Sequence, residues 1–169
     1  MDILKSYDKP RCMEWGCGGS TIYFSELAGE WIALEALPHW HDKIAKLAPK
    51  ATMHLFDQGL SFYKEPQYQD ALKSLCLGEY VDWPLSQGKF DFILVDGRKR
   101  SRCIAVAKKV IAKGGVIVLH DAQTEHYQDA CKGLDIVCHE DELGEHLYEM
   151  TMPAKKQKPK PAEQSNATI

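Results

Sequence analysis

No stretch of this sequence stays apolar long enough to cross a bilayer. The first eleven residues, MDILKSYDKPR, hold no hydrophobic run of the signal-peptide kind. A cytoplasmic protein with reduced thiols is therefore the expectation. There is no strong charge of either sign: the formal net charge is −3, which gives no reason to expect a nucleic acid or other polyanion as partner. Six cysteines stand at 12, 17, 76, 103, 131 and 138, yet none form a C-x-x-C pair. They read as small buried hydrophobes rather than as redox or zinc ligands. His39 and His41 flank Trp40 without a cysteine or acidic spacing to complete a metal set, so no metal is expected there. No internal repeat is visible either.

What the chain does hold is an ordinary globular composition: 169 residues, 44% hydrophobic and 27% charged, suiting one domain with a substantial core. Short apolar runs alternate with longer amphipathic ones, as strands alternate with helices around a parallel sheet. Arg11–Trp15, Trp31–Glu35, Thr52–Phe56, Phe90–Val95 and Val116–Leu119 read as strands. Ser20–Ala28, closed by Gly29, reads as a helix, as do Trp40–Leu47 after Pro38, Pro66–Leu75, Arg102–Ile111 and a segment through Tyr127–Cys131. Tyr80–Pro84 reads as an aromatic loop or short turn. Leu134–His139 and His146–Met152 read as an antiparallel hairpin. The domain is expected to span residues 1–152. The Lys- and Pro-rich stretch 153–169 has no core-forming pattern and is expected to be a disordered, solvated tail.

The ends of the expected strands collect distinctive residues: a glycine turn, then Glu35, Asp57, Asp96, His120 and Asp121. Ligands of open α/β sheets bind at that edge. The turn reads MEWGCGGST and carries G-x-G without the third glycine of the dinucleotide fingerprint. A strand, such a turn and a helix start together let a ligand approach bare backbone and meet exposed N–H groups. Glu14 precedes the turn, and Glu35 lies sixteen residues beyond Gly19. An acid at the end of the second strand can accept two hydrogen bonds from a ribose diol, whereas Glu14 would repel pyrophosphate and attract a sulfonium or ammonium. S-adenosylmethionine is a ligand that satisfies both.

E-x-G-x-G-G-S-T, the acid ending the second strand, FDFILVDGRKR and GGVIVLHDA together resemble class I S-adenosylmethionine-dependent methyltransferases. The similarity narrows to a small bacterial group with E-W-G-x-G-x-S-T and V-D-G-R-x-R signatures, and covers Arg11 to Met152. It implies an α/β, Rossmann-like three-layer sandwich with a seven-stranded sheet, parallel except for the last strand. It further implies that Glu14, Gly16, Gly18 and Ser20, with Gly19 between them, surround the methionine part of the cofactor, that Glu35 holds the ribose hydroxyls, and that Asp57 or Gln58 meets the adenine. Asp96 would lie beside the methyl-transfer centre.

Transfer to a hydroxyl or ammonium also needs a base. His120 is the candidate, with Asp121 orienting it or acting itself. Asp96 and Asp121 occupy strand ends where some related O-methyltransferases bind a divalent ion. Ala122 stands where an amide ligand would be expected, and two carboxylates make a thin hard-cation site. No metal is expected.

Arg98, Lys99, Arg100 and Arg102 oppose the dipole of the helix they open. They either meet an anionic group of the acceptor or pair with surface acids. Tyr63, Tyr68, Tyr80 and Trp83 either roof the acceptor pocket or belong to the core. The expected reaction moves a methyl group to an oxygen or nitrogen of a small-molecule or glycan-like acceptor. The alternatives are an NAD(P)-dependent oxidoreductase and a non-catalytic cofactor-binding module. Few residues precede the first strand, which leaves the acceptor side either open or completed by a second subunit in a homodimer.

Overall fold

Period-two alternation sets the sheet. In β1 (Arg11–Trp15) Cys12 and Glu14 face one side and Met13 and Trp15 the other, and all four are buried. Strands buried on both faces belong at the centre of a parallel sheet covered by helices. The computed structural model, which describes residues 3–57, 77–141 and 144–154, has this architecture. Its other strands are β2 (Glu30–Glu35), β3 (Ala51–Leu55), β4 (Phe90–Val95), β5 (Ile111–Leu119), β6 (Asp135–Glu140) and β7 (His146–Thr151). They form one seven-stranded sheet in the order β3-β2-β1-β4-β5-β7-β6. The ladders from β3 to β5 are parallel, and β7 runs antiparallel to both β5 and β6. The expected terminal hairpin is present.

The helices are α1 (Gly19–Phe24), α2 (Pro38–Leu47), α3 (Gly78–Asp82), α4 (Arg100–Val110) and α5 (Gln128–Cys131). On one face Trp15, Leu34, Ile93, Val95, Ile117 and Leu119 pack with Tyr80 of α3, Cys103, Ile104 and Ala107 of α4, and Cys131 of α5. On the other Trp31, Ala33, Phe92, Leu94 and Val118 pack with Phe24 of α1 and Ile44 of α2. This is a three-layer sandwich, with exposed strands β3 and β6 at its edges. No helix among the described residues is long and apolar enough to cross a membrane.

Three departures from the sequence reading go beyond a residue or two at an element's end. Helix α1 stops at Phe24, not Ala28, because the chain must return to the start of β1: the N–H groups of Gly29 and Glu30 both donate to the Pro10 carbonyl, at 3.0 and 3.2 Å. That return is so tight that a Cβ on Gly29 would sit 2.5 Å from the Lys9 carbonyl oxygen. Strand β5 starts at Ile111, five residues early, because Ile111 pairs with Phe90 before a register shift at Phe90/Phe92. The aromatic stretch is no loop. Leu77, Tyr80 and Val81 are buried together at helical spacing in and before α3, and a 3-10 turn at Trp83–Ser86 follows. Burial at positions i, i+3 and i+4 overrode the loop signal of Pro84.

Among the described residues Cys12, Cys17, Cys103 and Cys131 are free and buried, while Cys138 is free and exposed. Burial pushes the Cys12 thiol up to about 12 and raises those of Cys17 and Cys103 strongly, so none is a poised nucleophile. The expected helix Pro66–Leu75, the residues Gln58, Tyr63 and Tyr68, and residues 155–169 of the tail lie outside the described residues.

Candidate functional site

The strand order reverses between β1 and β4, and the carboxyl ends of β1, β2, β4 and β5 converge there. Two of the turn's glycines are explained by the chain itself. Gly16 has φ +92°, and a Cβ on it would lie 3.0 Å from Gly97 Cα. A Cβ on Gly97 would lie 1.9 Å from Tyr80 Oη and 2.7 Å from Gly16 N. Here the turns after β1 and β4 touch backbone to backbone. Gly18 and Gly19 are different: Gly18 has an extended φ of 179°, and nothing lies within 4 Å of a Cβ at either position. Neither conformation nor internal packing asks for glycine there. Both face open space at the sheet's edge.

The two acids flank this pair. Glu14 and Glu35 share one face of the sheet and are 0% and 5% exposed. Glu35 Oε1 accepts the N–H groups of Ala36 and Leu37 at 2.7 and 2.9 Å, and Oε2 accepts the Cys17 N–H at 3.1 Å and the Cys17 thiol at 3.3 Å. Glu14 Oε2 accepts the Ser20 hydroxyl at 2.7 Å. Its Oε1 accepts the Trp31 indole N–H at 2.8 Å and the Thr21 hydroxyl. Thr21 Oγ1 in turn accepts the Gly18 N–H at 2.9 Å. One carboxylate thus grips the turn at residue 17 and the other at residues 20 and 21, with the two glycines held between them. Cys17, Thr21 and Trp31 were missed in the sequence. Only their neighbours on adjacent strands show that they serve these acids.

Burial pushes the Glu14 carboxyl up to about 7 against the three hydrogen bonds that lower it. The native state therefore keeps a proton that the unfolded chain gives up near pH 4.5. Stability contributed by this group is full below pH 4.5 and falls as pH rises through 7, by about 3 kcal/mol in all. Glu14→Gln keeps the shape and can still accept Thr21 and Trp31 while donating to Ser20. Urea melts at pH 5 and pH 8 are expected to show that slope in the wild type and to lose most of it in the variant. Equal slopes would mean Glu14 ionises as an ordinary carboxyl.

Asp96, after β4, and His120 and Asp121, after β5, come together. His120 Nδ1 is shut off from solvent 3.1 Å from Asp121 Oδ1 and 3.5 Å from Asp96 Oδ1, with no aligned hydrogen bond to either. Burial raises the Asp96 carboxyl despite His120 and Arg100. Asp121 is held low because, although partial burial is the largest single influence and raises it, its bond to Arg100 and the charges of Arg100 and His120 together outweigh that burial. Environments that push two neighbouring carboxyls apart divide acid and base roles, Asp96 being the better proton holder. Asp96, His120 and Asp121 also present one ligand atom each within 4.8 Å of one another. Arg100 already occupies both carboxylates, at 3.0 and 2.7 Å, and a divalent ion would have to compete with that fixed charge. Asp57 is exposed just beyond β3, away from this group.

Of the basic cluster, Arg102 lies 3.8 Å from Asp82 and Arg100 turns inward onto the strand ends. Lys99, Arg102, His126 and Tyr127 line a cavity of about 260 Å³ beside α4. A second cavity, of about 230 Å³, opens between His120 and the hairpin residues His139, Glu140, Glu145 and His146. Tyr80 and Trp83 belong to the core or pack against it.

No family model and no curated protein matches the chain. Solved structures do. A ribosomal protein L11 methylase from Lactobacillus delbrueckii subsp. bulgaricus superposes with a TM-score of 0.60 at 12% identity, over 89% of this chain and 75% of that one. The SAM-bound amino pentose methyltransferase CalS10 from Micromonospora echinaspora gives 0.58 at 14%, over 90% and 86%. A TehB-like SAM-dependent methyltransferase from Corynebacterium glutamicum gives 0.57 at 13%, over 89% and 85%. The fold is the Rossmann-like fold of these methyltransferases.

Proposed function

We propose that this protein is an S-adenosylmethionine-dependent methyltransferase acting on an oxygen or nitrogen of a small-molecule or glycan-like acceptor. The observation that carries the reading is the open edge at Gly18 and Gly19. Two glycines that internal packing does not need stand between two buried acids, on a fold whose solved neighbours include methyltransferases, one of them with the cofactor bound. Gly16, Gly18, Gly19 and Ser20 form the floor under the methionine part. Glu35 takes the ribose diol and Asp57 lies on the adenine side. Glu14 acts from beneath, holding the turn through Ser20 and Thr21.

Bound there, the cofactor supplies an electrophilic methyl group. The chain has to align the acceptor, exclude water and take one proton. The cavity bounded by His120 is the approach for the acceptor, with His120 or Asp96 receiving its proton and Asp121 orienting the imidazole.

Calorimetry with S-adenosylhomocysteine tests the reading, with NADH as the competing ligand. Homocysteine-form binding in the micromolar range is expected, and none for NADH. Well-folded protein that binds only NADH, or neither ligand, ends the proposal. Gly18→Ala isolates the carrying observation. A methyl group in open space leaves the fold intact, at the modest cost of a poorer N-cap for α1, but stands where the ligand lies, so affinity should drop roughly tenfold or more. Unchanged affinity in the variant would show that the glycine pair does not contact the ligand.

A further inference from the structure

The ends of β4 and β5 have no ladder between them beyond Val95 and Leu119, yet they present Asp96, His120 and Asp121 as one group. We propose that Arg100, the first residue of α4, is the positioning residue that holds this rim together. Its guanidinium makes five hydrogen bonds. Nη1 donates to the His120 carbonyl and to Asp121 Oδ2, both at 2.7 Å; Nη2 donates to the Asp96 carbonyl at 3.1 Å and to Asp96 Oδ1 at 3.0 Å; Nε donates to the Gly97 carbonyl at 3.1 Å. Three acceptors are backbone carbonyls just past the strands, where the sheet no longer satisfies them. The other two are the carboxylates that face His120 Nδ1 from either side.

This accounts for several features at once. A cation opening a helix is misplaced with respect to the dipole, but the side chain turns away from α4 and back onto the sheet, where it is only 14% exposed. Asp121 sits at φ +52°, a conformation L residues seldom adopt, with its Oδ2 held by Nη1. Two carboxylates can flank one imidazole nitrogen because a fixed charge lies behind both. Only a planar fork spans these five acceptors. A lysine ammonium keeps the charge but not the geometry. The role deepens the transfer reaction proposed above, whose base it would set, although the contacts do not depend on that reading.

The test uses the full chain without cofactor. His120 is titrated by NMR in histidine-labelled wild type, Arg100→Met and Arg100→Lys, its signal assigned with His120→Gln. The groups around the imidazole are Asp96, Asp121 and Arg100, with Glu145 acting on Asp96 and His146, His139, Glu140 and Asp141 across the cavity. In Arg100→Met the carboxylates lose their cation and turn to the imidazole, so the His120 midpoint should move to higher pH while His139 and His146 stay in place. Arg100→Lys should move it by less. If Arg100→Met does not fold, a shift of His120 alone in Arg100→Lys supports the role, and an unmoved His120 there overturns it. An unmoved His120 in folded Arg100→Met overturns it as well, as does an equal shift of all three histidines, which would mean a general change. Homocysteine-form binding to the wild type is measured alongside. Its absence sinks the methyltransferase reading and leaves the positioning role intact, whereas an unmoved His120 does the reverse.

Discussion

Gly97→Ala is expected to be the most destabilising single-methyl change at the sheet's edge. The new Cβ would lie 1.9 Å from Tyr80 Oη, 2.7 Å from Gly16 N and 2.8 Å from the Trp15 carbonyl carbon. Tyr80 cannot swing aside freely. It is 1% exposed, its backbone carbonyl accepts the Trp15 indole N–H at 3.0 Å, and its ring meets Phe56 edge-on. Overpacking in such a setting costs about 3 kcal/mol or more. Because the other two contacts are backbone, Tyr80→Phe should restore only part of the loss when combined with Gly97→Ala. Urea unfolding of the two single variants and the double measures this. If Gly97→Ala melts with the wild type, the turns after β1 and β4 do not touch as described.

That joint also divides the glycine motif by purpose. Gly16 and Gly97 are glycines because two strand ends must approach each other. Gly18 and Gly19 have no such internal reason. In the sequence the three glycines of the turn look alike, since spacing reveals crowding but not which side the crowding comes from. What the sequence did carry is set by local pattern. The alternation in Cys12–Trp15, the run Phe90–Val95 and the hairpin around residues 140–146 each state their own pleat, and a parallel sheet with an antiparallel end follows from them.

What was not legible depends on partners distant in the chain. Helix α3 forms because Tyr80 and Val81 are buried in one core with Trp15 and Val95 of the sheet and Cys103 and Ile104 of α4, which no window around Pro84 discloses. Arg100 reads as one of four surface cations until the ends of β4 and β5 are seen meeting over it. Glu14 and Glu35 were legible as a pair of acids flanking the turn. That their oxygens already hold Ser20, Thr21, Trp31 and Cys17 was not, because those donors arrive from the glycine turn, the first turn of α1 and the adjacent strand.

This occupancy makes Glu35 the sharpest test of the proposed ribose contact. A carboxylate offers about four lone-pair sites, and the N–H groups of Ala36, Leu37 and Cys17 with the Cys17 thiol fill them. The thiol is the weakest donor of the four, so a ribose hydroxyl arriving at Oε2 displaces it while the three backbone donors remain. Glu35→Ala removes the acceptor of all three, and each buried N–H left without a partner costs about 1–3 kcal/mol. The variant is expected to bind S-adenosylhomocysteine much more weakly and to lose about ten degrees or more of melting temperature together. Loss of binding alone then cannot separate a missing ribose contact from a disordered turn, but the ligand can. An analogue lacking the ribose 2′- and 3′-hydroxyls should bind wild type about tenfold more weakly, the one hydrogen bond that Oε2 gains in place of the thiol being worth about 1.5 kcal/mol. It should bind Glu35→Ala no more weakly than the intact ligand does, since the partner of those hydroxyls is already gone. Cys17→Ala should leave affinity unchanged or raise it by freeing Oε2. If removing the diol weakens binding equally in wild type and Glu35→Ala, the hydroxyls are held elsewhere and Glu35 serves only to fold the turn.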